Sequence, residues 1–239
     1  MQVARLCFLP TNMLPRAAIM PAGLRLSYIL VNYRGVVKAM NPLKTATGTI
    51  ISGFVLAGII ALVANQTGPD SARFVIWLHV IVGITWIGLL YYFNFVQTQA
   101  MAEATADKGG PGGAGIMKYV APRALLFFRW AALLTWATGA IYLLEKGQFL
   151  HAFSLGATSP PGDSYGLIIG IGAWLGTIML FNVWFLIWPN QKKILGIVQA
   201  TPEQIARAKS TALMTSRTNT MLSIPMLMSM VGAHHGFFL

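Results

Sequence analysis

Five stretches of about twenty apolar residues, separated by polar segments, set the pattern of the chain. About 20 residues at 1.5 Å each cross the roughly 30 Å hydrocarbon layer of a bilayer, so each stretch predicts a membrane-spanning helix. The first runs from Thr47 to Ala64 and is ended by Asn65 and the turn residues Gly68, Pro69 and Asp70. The second, Phe74 to Phe95, carries Tyr91, Tyr92, Phe93 and Phe95 at its inner end, where rings settle at the headgroup level. The glycine run from Gly109 to Gly115 has no means of forming a packed unit and predicts a flexible loop. The third span is Ala121 to Leu144, and the fourth is Tyr165 to Trp188, stopped by Pro189. Thr201, Pro202 and Gln204 predict a capping box with proline at the first helical position. They open a fifth helix that reaches Val231, bent at Pro225. Gly166, Gly170, Gly172 and Gly176 give two overlapping small-residue spacings that let helix backbones pack closely. The expected fold is therefore all-α: a polytopic integral membrane helical bundle of about five transmembrane helices. Residues 46–239 form its single domain, behind a basic amino-terminal arm or leader at 1–45.

Composition narrows the class. Of the 239 residues 56% are hydrophobic and 10% charged, against about a quarter charged in soluble domains, which excludes a soluble enzyme and a disordered tail. The net charge of +11 would suit nucleic acid, but its distribution argues for topology. The successive segments outside the apolar runs hold six, one, three, one and four Lys and Arg residues. This alternation is the positive-inside pattern, with amino terminus in and carboxyl terminus out. Membrane lipid is the expected partner and nucleic acid is not. The proline-broken first 39 residues read as a cytoplasmic arm or as leader upstream of a start at Met40, and Leu24 to Val37 as an amphipathic surface helix. The lone Cys7 excludes a disulfide framework, a thiolate zinc site and a c-type haem.

The topology puts all four histidines toward the outer side: His79 inside the second span, His151 in the loop after the third, and His234 and His235 at the end of the fifth. A bilayer penalises polar side chains that do not face the bundle or a ligand, and imidazole is the common ligand of haem iron and copper. His79 with His234 or His235 is the expected axial pair for a haem b, with His79 and His235 as candidate metal ligands. His151 reads as an interfacial histidine with a loop partner. His79, Gly83, Trp86 and Leu90 share one helical face, which leaves a space above Trp86. A second polar set, Asn94, Asn182, Arg217 and Asn219, falls toward the cytoplasmic side. Arg129 lies there too, and within hydrocarbon it costs about 2.5 to 3.5 kcal/mol unless paired or near the surface. Arg129 has no acid inside a span to meet, so carbonyls, headgroups or an anionic ligand such as a haem propionate must serve. The methionines of the fifth span suit gap filling, with copper handling as the alternative.

The stretches WLHVIVGITWIGLLYYFNF (Trp77 to Phe95), FFRWAALLTWATG (Phe127 to Gly139), LGTIMLFNVWFLIWPNQKK (Leu175 to Lys193) and SRTNTMLSIPMLMSMVGAHH (Ser216 to His235) resemble the urate oxidase N-terminal membrane family. This is the membrane domain of bacterial membrane-bound urate hydroxylases, and the likeness runs roughly from Phe74 to His235. The resemblance implies an inner-membrane redox protein of the bacterial cytoplasmic membrane. Its matching positions are His79, Arg129, Asn182, Asn190, Gln191, Lys192, Arg217, Asn219, Pro225 and His234 or His235. The family's membrane part hands electrons to a carboxyl-terminal cytochrome c. The chain is expected to be a short form without that domain, with a separate periplasmic cytochrome c as the expected partner and an oxidoreductase activity as the expected class. The alternative is a non-catalytic accessory subunit of a larger membrane enzyme complex.

Overall fold

The structure, a computed structural model, describes Pro21, Leu24, Ser27, Tyr28, residues 41–64 and residues 68–237. The basic arm, Cys7, the start at Met40 and nearly all of the amphipathic segment lie outside the described residues. Chain contacts divide the molecule into two compact units, Met1–Pro69 and Asp70–Leu239. Every described element is helical, with no strand among the described residues.

In the first unit Asn41 caps a short 3-10 turn, Pro42–Lys44, by accepting the Leu43 amide. Helix α1 (Ala46–Ala64) follows, its first turn capped by Thr45 Oγ1, which accepts the Gly48 amide at 3.0 Å. None of its residues is buried. A helix apolar on every side belongs in lipid.

The second unit begins with Asp70, whose carboxylate caps α2 (Ser71–Tyr91) through the Arg73 amide. The helix does not end at Phe95 but passes through a π-helical turn, Tyr92–Gln97, into α3 (Thr98–Ala106). Thr98 to Ala106 is polar and helix-forming, so the helix outlasts its apolar part. A second π turn, Ile116–Val120, leads into α4 (Ala121–Glu145). The short α5 (Phe149–Phe153) lies between it and α6 (Tyr165–Phe181). The fourth span is not stopped by Pro189. A π turn at Asn182–Ile187 carries the chain without a break into α7 (Trp188–Ile194), so Pro189 lies inside one continuous helical stretch, Tyr165–Ile194. Helix α8 (Pro202–His235) opens on the expected capping box: Thr201 Oγ1 accepts the Gln204 amide and Gln204 Oε1 accepts the Thr201 amide. It runs through Pro225 to His235 without interruption and ends at Gly236, whose φ of +77° suits glycine.

Among the described residues four helical stretches are long and apolar enough to cross a membrane: Ala46–Ala64, Ser71–Ala106, Ile116–Glu145 and Tyr165–Ile194. The fifth predicted span, α8, is long enough, but Arg207, Lys209, Arg217 and its hydroxyl and amide side chains make it more polar than these four.

Lipid tails are as apolar as leucine, so helix association here rests on close packing and interhelical hydrogen bonds rather than on the hydrophobic effect. Helix α2 packs chiefly on α4, and α8 on α6 and α7. Trp86 and Leu90 of α2, Phe128 and Ala132 of α4, and Met179 and Val183 of the fourth span form the buried centre, with Met226 of α8. The glycine face of α6 serves this packing. At Gly170 a β-carbon would collide with the carbonyl of Ala152 in α5, and at Gly172 one would press on Ser229 and Met230 of α8.

Candidate functional site

Side-chain contacts fix which helix ends lie together. Ser71 Oγ, at the start of α2, donates to Glu145 Oε2 at the end of α4 (3.2 Å). The His234 ring, in the last turn of α8, meets Tyr165 at the start of α6 edge-on, with centroids 5.4 Å apart. A small apolar cluster of Leu143, Ala152 and Ile169, joined by Tyr165 and Ala233, unites these ends. All four histidines thus lie toward one end of the second unit.

His79 is turned toward α4. Its Nδ1 lies 2.8 Å from the Thr135 carbonyl oxygen and 3.3 Å from Thr138 Oγ1. A carbonyl oxygen accepts and never donates, so Nδ1 carries the proton and Nε2 keeps its lone pair. Gly139 makes room for the ring: a β-carbon there would stand 2.9 Å from His79 Cε1. Gly83 faces Thr135 from the same side, and Trp86, one turn on, is 2% exposed in the core. The predicted shared face is therefore present, with Trp86 and Leu90 of that face buried in the core. The indole Nε1 of Trp86 is buried and has no hydrogen-bond partner. His151 lies in α5 rather than in an irregular loop, and its Nδ1 is 3.0 Å from Thr158 Oγ1. His234 and His235 are exposed.

The register between α2 and α8 follows from two hydrogen bonds, Tyr91 Oη with Ser223 Oγ (3.0 Å) and Asn94 Nδ2 to Ser216 Oγ (2.8 Å). The two helices run in opposite directions. His79 lies twelve residues before Tyr91 and His235 twelve after Ser223, about 18 Å along each helix. Counted along each helix, the two histidines are thus equally far from the Tyr91–Ser223 bond. His234, eleven residues after Ser223, returns to within about 20° of the face carrying that serine. Among the described residues no hydrogen bond or ring contact joins His79 to His234 or His235, and no group of three or more His, Cys, Asp and Glu stands together as a metal site.

The second polar layer lies nearer the opposite end. Asn182 Nδ2 donates to Asn219 Oδ1 (2.8 Å), and Asn219 Nδ2 donates to the Met179 carbonyl (3.0 Å). Asn219 is fully buried and Asn182 is 8% exposed. Asn94 also bonds the Leu90 carbonyl, one turn back on its own helix. Asn94 and Asn182 each fall in a π turn, a distortion that recurs at functional sites. Arg217 does not join them and is exposed. Arg129 stands six to nine residues along α4 from the partners of His79, with its guanidinium stacked on the Trp188 ring at 3.8 Å. Sequence reasoning singled out Asn94, Asn182, Asn219 and Arg129, but missed Thr135, Thr138, Ser216, Ser223 and Trp188. The two threonines and two serines carry no distinguishing sequence signal, whereas Trp188 sits in the quoted WPNQKK stretch.

The fold and its apolar helices define a helical membrane protein. Within that class, the family model described as urate oxidase N-terminal matches residues 163–239, and the match supports the urate oxidase N-terminal family. It takes in Asn182, Arg217, Asn219, His234 and His235, whereas His79, Trp86, Asn94 and Arg129 precede it. No curated protein and no solved structure matches the chain.

Proposed function

We propose that this membrane protein binds a b-type haem near the end of the bundle where the histidines gather, and relays electrons to a separate cytochrome. The observation that carries the reading is the hydrogen bond from His79 Nδ1 to the Thr135 carbonyl. Histidines that ligate a metal characteristically give their other ring N–H to a carbonyl or carboxylate, which fixes the tautomer and the ring plane. The donor set suits the group: His79 would hold the iron through Nε2, and His234 or His235 of α8, at the same end of the second unit, would supply a second imidazole. Bound between them, haem supplies one-electron chemistry. Thr135 holds the His79 ring by its carbonyl, and the bare Cα of Gly139 leaves room for it. The family likeness supports a bacterial inner membrane and the charge alternation an inside amino terminus; in that topology the histidine end faces the periplasm, where a cytochrome would dock.

The test is an absorption spectrum and a pyridine haemochrome assay on the detergent-purified chain. A Soret band is expected in the wild type, lost or strongly reduced in His79→Ala and shifted in His234→Ala or His235→Ala. A wild type with no Soret band after haem supplementation overturns the proposal, as does an unchanged band in His79→Ala.

A further inference from the structure

We propose that the end of the bundle opposite the histidines carries a binding site for the phosphodiester headgroup of an anionic phospholipid. Arg129, Trp188 and Lys192 build it. The guanidinium carbon of Arg129 lies over the Trp188 indole, 3.8 Å from the ring centroid, and the Lys192 ammonium stands 6.0 Å from the same centroid. Two cations thus share one aromatic platform, and no carboxylate pairs with either among the described residues.

Stacking covers a face of the guanidinium but leaves its N–H donors, which radiate in its plane, without an anionic acceptor. An anion bridging Arg129 and Lys192 satisfies those donors and removes the repulsion between the two charges. One turn before Trp188, the buried Nε1 of Trp184 also lacks an acceptor, and its ring meets Trp130 edge-on with centroids 5.5 Å apart.

The surroundings select the source of the anion. Phe127, Trp130, Phe181 and Phe185 are 60%, 48%, 52% and 65% exposed, an apolar surface suited to acyl chains. Lys193 follows Lys192 directly, at the basic end of the span. An apolar flank beneath a planar cation and an ammonium matches an acidic lipid, with tails below and headgroup above. The inference is independent of haem, because Arg129 and Lys192 lie away from the histidine end.

The test uses the full chain in nanodiscs of phosphatidylcholine with and without phosphatidylglycerol, followed by native mass spectrometry of retained lipid. At least one phosphatidylglycerol per chain is expected to survive delipidation, with about tenfold weaker retention in Arg129→Gln and in Lys192→Gln and little change in Lys209→Gln. Arg129→Lys separates charge from planarity and is expected to recover only part of the retention. Equal retention of the two lipids overturns the proposal, as does an Arg129→Gln and Lys192→Gln pair that both retain phosphatidylglycerol like the wild type. A free-anion arm adds inorganic phosphate to the detergent-solubilised protein and follows tryptophan fluorescence. An Arg129-dependent response to millimolar phosphate without any phosphatidylglycerol preference identifies a small-anion site and overturns the lipid assignment.

Discussion

Replacing Asn219 by leucine removes the polar centre of the bundle while keeping a side chain of similar size. Asn219 is fully buried, accepts from Asn182 Nδ2 and donates to the Met179 carbonyl. The two lost bonds are not equivalent. The Met179 carbonyl still receives the Asn182 backbone amide in the helix, whereas the Asn182 side-chain N–H is left facing apolar neighbours. Interhelical hydrogen bonds in membranes average about 0.6 kcal/mol and reach about 1.7, and an orphaned buried donor adds about 1–3 kcal/mol. Asn219→Leu should therefore destabilise the chain by about 2–5 kcal/mol. Removing both partners leaves no orphan, so the Asn182→Leu/Asn219→Leu double variant should be less destabilised than the two single effects together, with a coupling of about 0.5–1.5 kcal/mol. Reversible unfolding in mixed micelles with rising dodecyl sulfate measures all four forms. A single-variant effect under about 0.3 kcal/mol, or strict additivity in the cycle, refutes the claim that this pair ties α8 to the fourth span.

Two glycines facing different surroundings should respond oppositely to alanine. At Gly88 a β-carbon meets nothing within 4 Å, so Gly88→Ala should raise the melting temperature, a gain of about 0.5–1 kcal/mol. Gly139→Ala should lower it, because the added carbon would stand 2.9 Å from His79 Cε1 and displace the ring from Thr135. Equal shifts in the two variants, read from thermal melts in detergent, would contradict the placement of that ring. At Asp70 the backbone N–H of Arg73 holds the carboxyl below the usual carboxylate range, partly opposed by burial and assisted by the charges of Arg73 and Lys146. A depressed folded pKa stabilises above the unfolded value, about 3.9, and that contribution is lost as pH falls through the folded value. Asp70→Asn keeps the cap without the titration, so its melting temperature should fall less than that of the wild type below about pH 4. Parallel acid limbs would remove Asp70 from the list of contributors.

The apolar runs made the helices legible, because a span must be apolar for about twenty residues and nothing else in a short chain looks like that. Their ends were less legible. Thr98–Ala106 continues the second helix with residues that favour helix but carry no hydropathy signal, and Pro189 follows a π turn that composition does not announce. Candidate residues were found wherever a polar type interrupts a span, as at His79, Asn182 and Asn219. Their partners were hidden for two physical reasons. The acceptor of His79 is a backbone carbonyl, which every residue possesses, and Arg129 meets Trp188 across fifty-nine residues of chain. The absence of an acid inside any span left carbonyls, headgroups or an anionic ligand for Arg129, but only tertiary packing supplies the indole against it.

The π turns at 92–97 and 182–187 have a further consequence. Each accommodates one residue more than a regular helix of the same height. Excising a single residue from either would restore ordinary winding and leave the helix beyond it in register, so that the side chains within the turn, Asn94 in one case and Asn182 in the other, would be re-aimed away from Ser216 and Asn219. Any comparison of this chain with its relatives should therefore expect one-residue gaps in the middle of these helices, and treat them as changes in which side chains meet rather than as alignment noise.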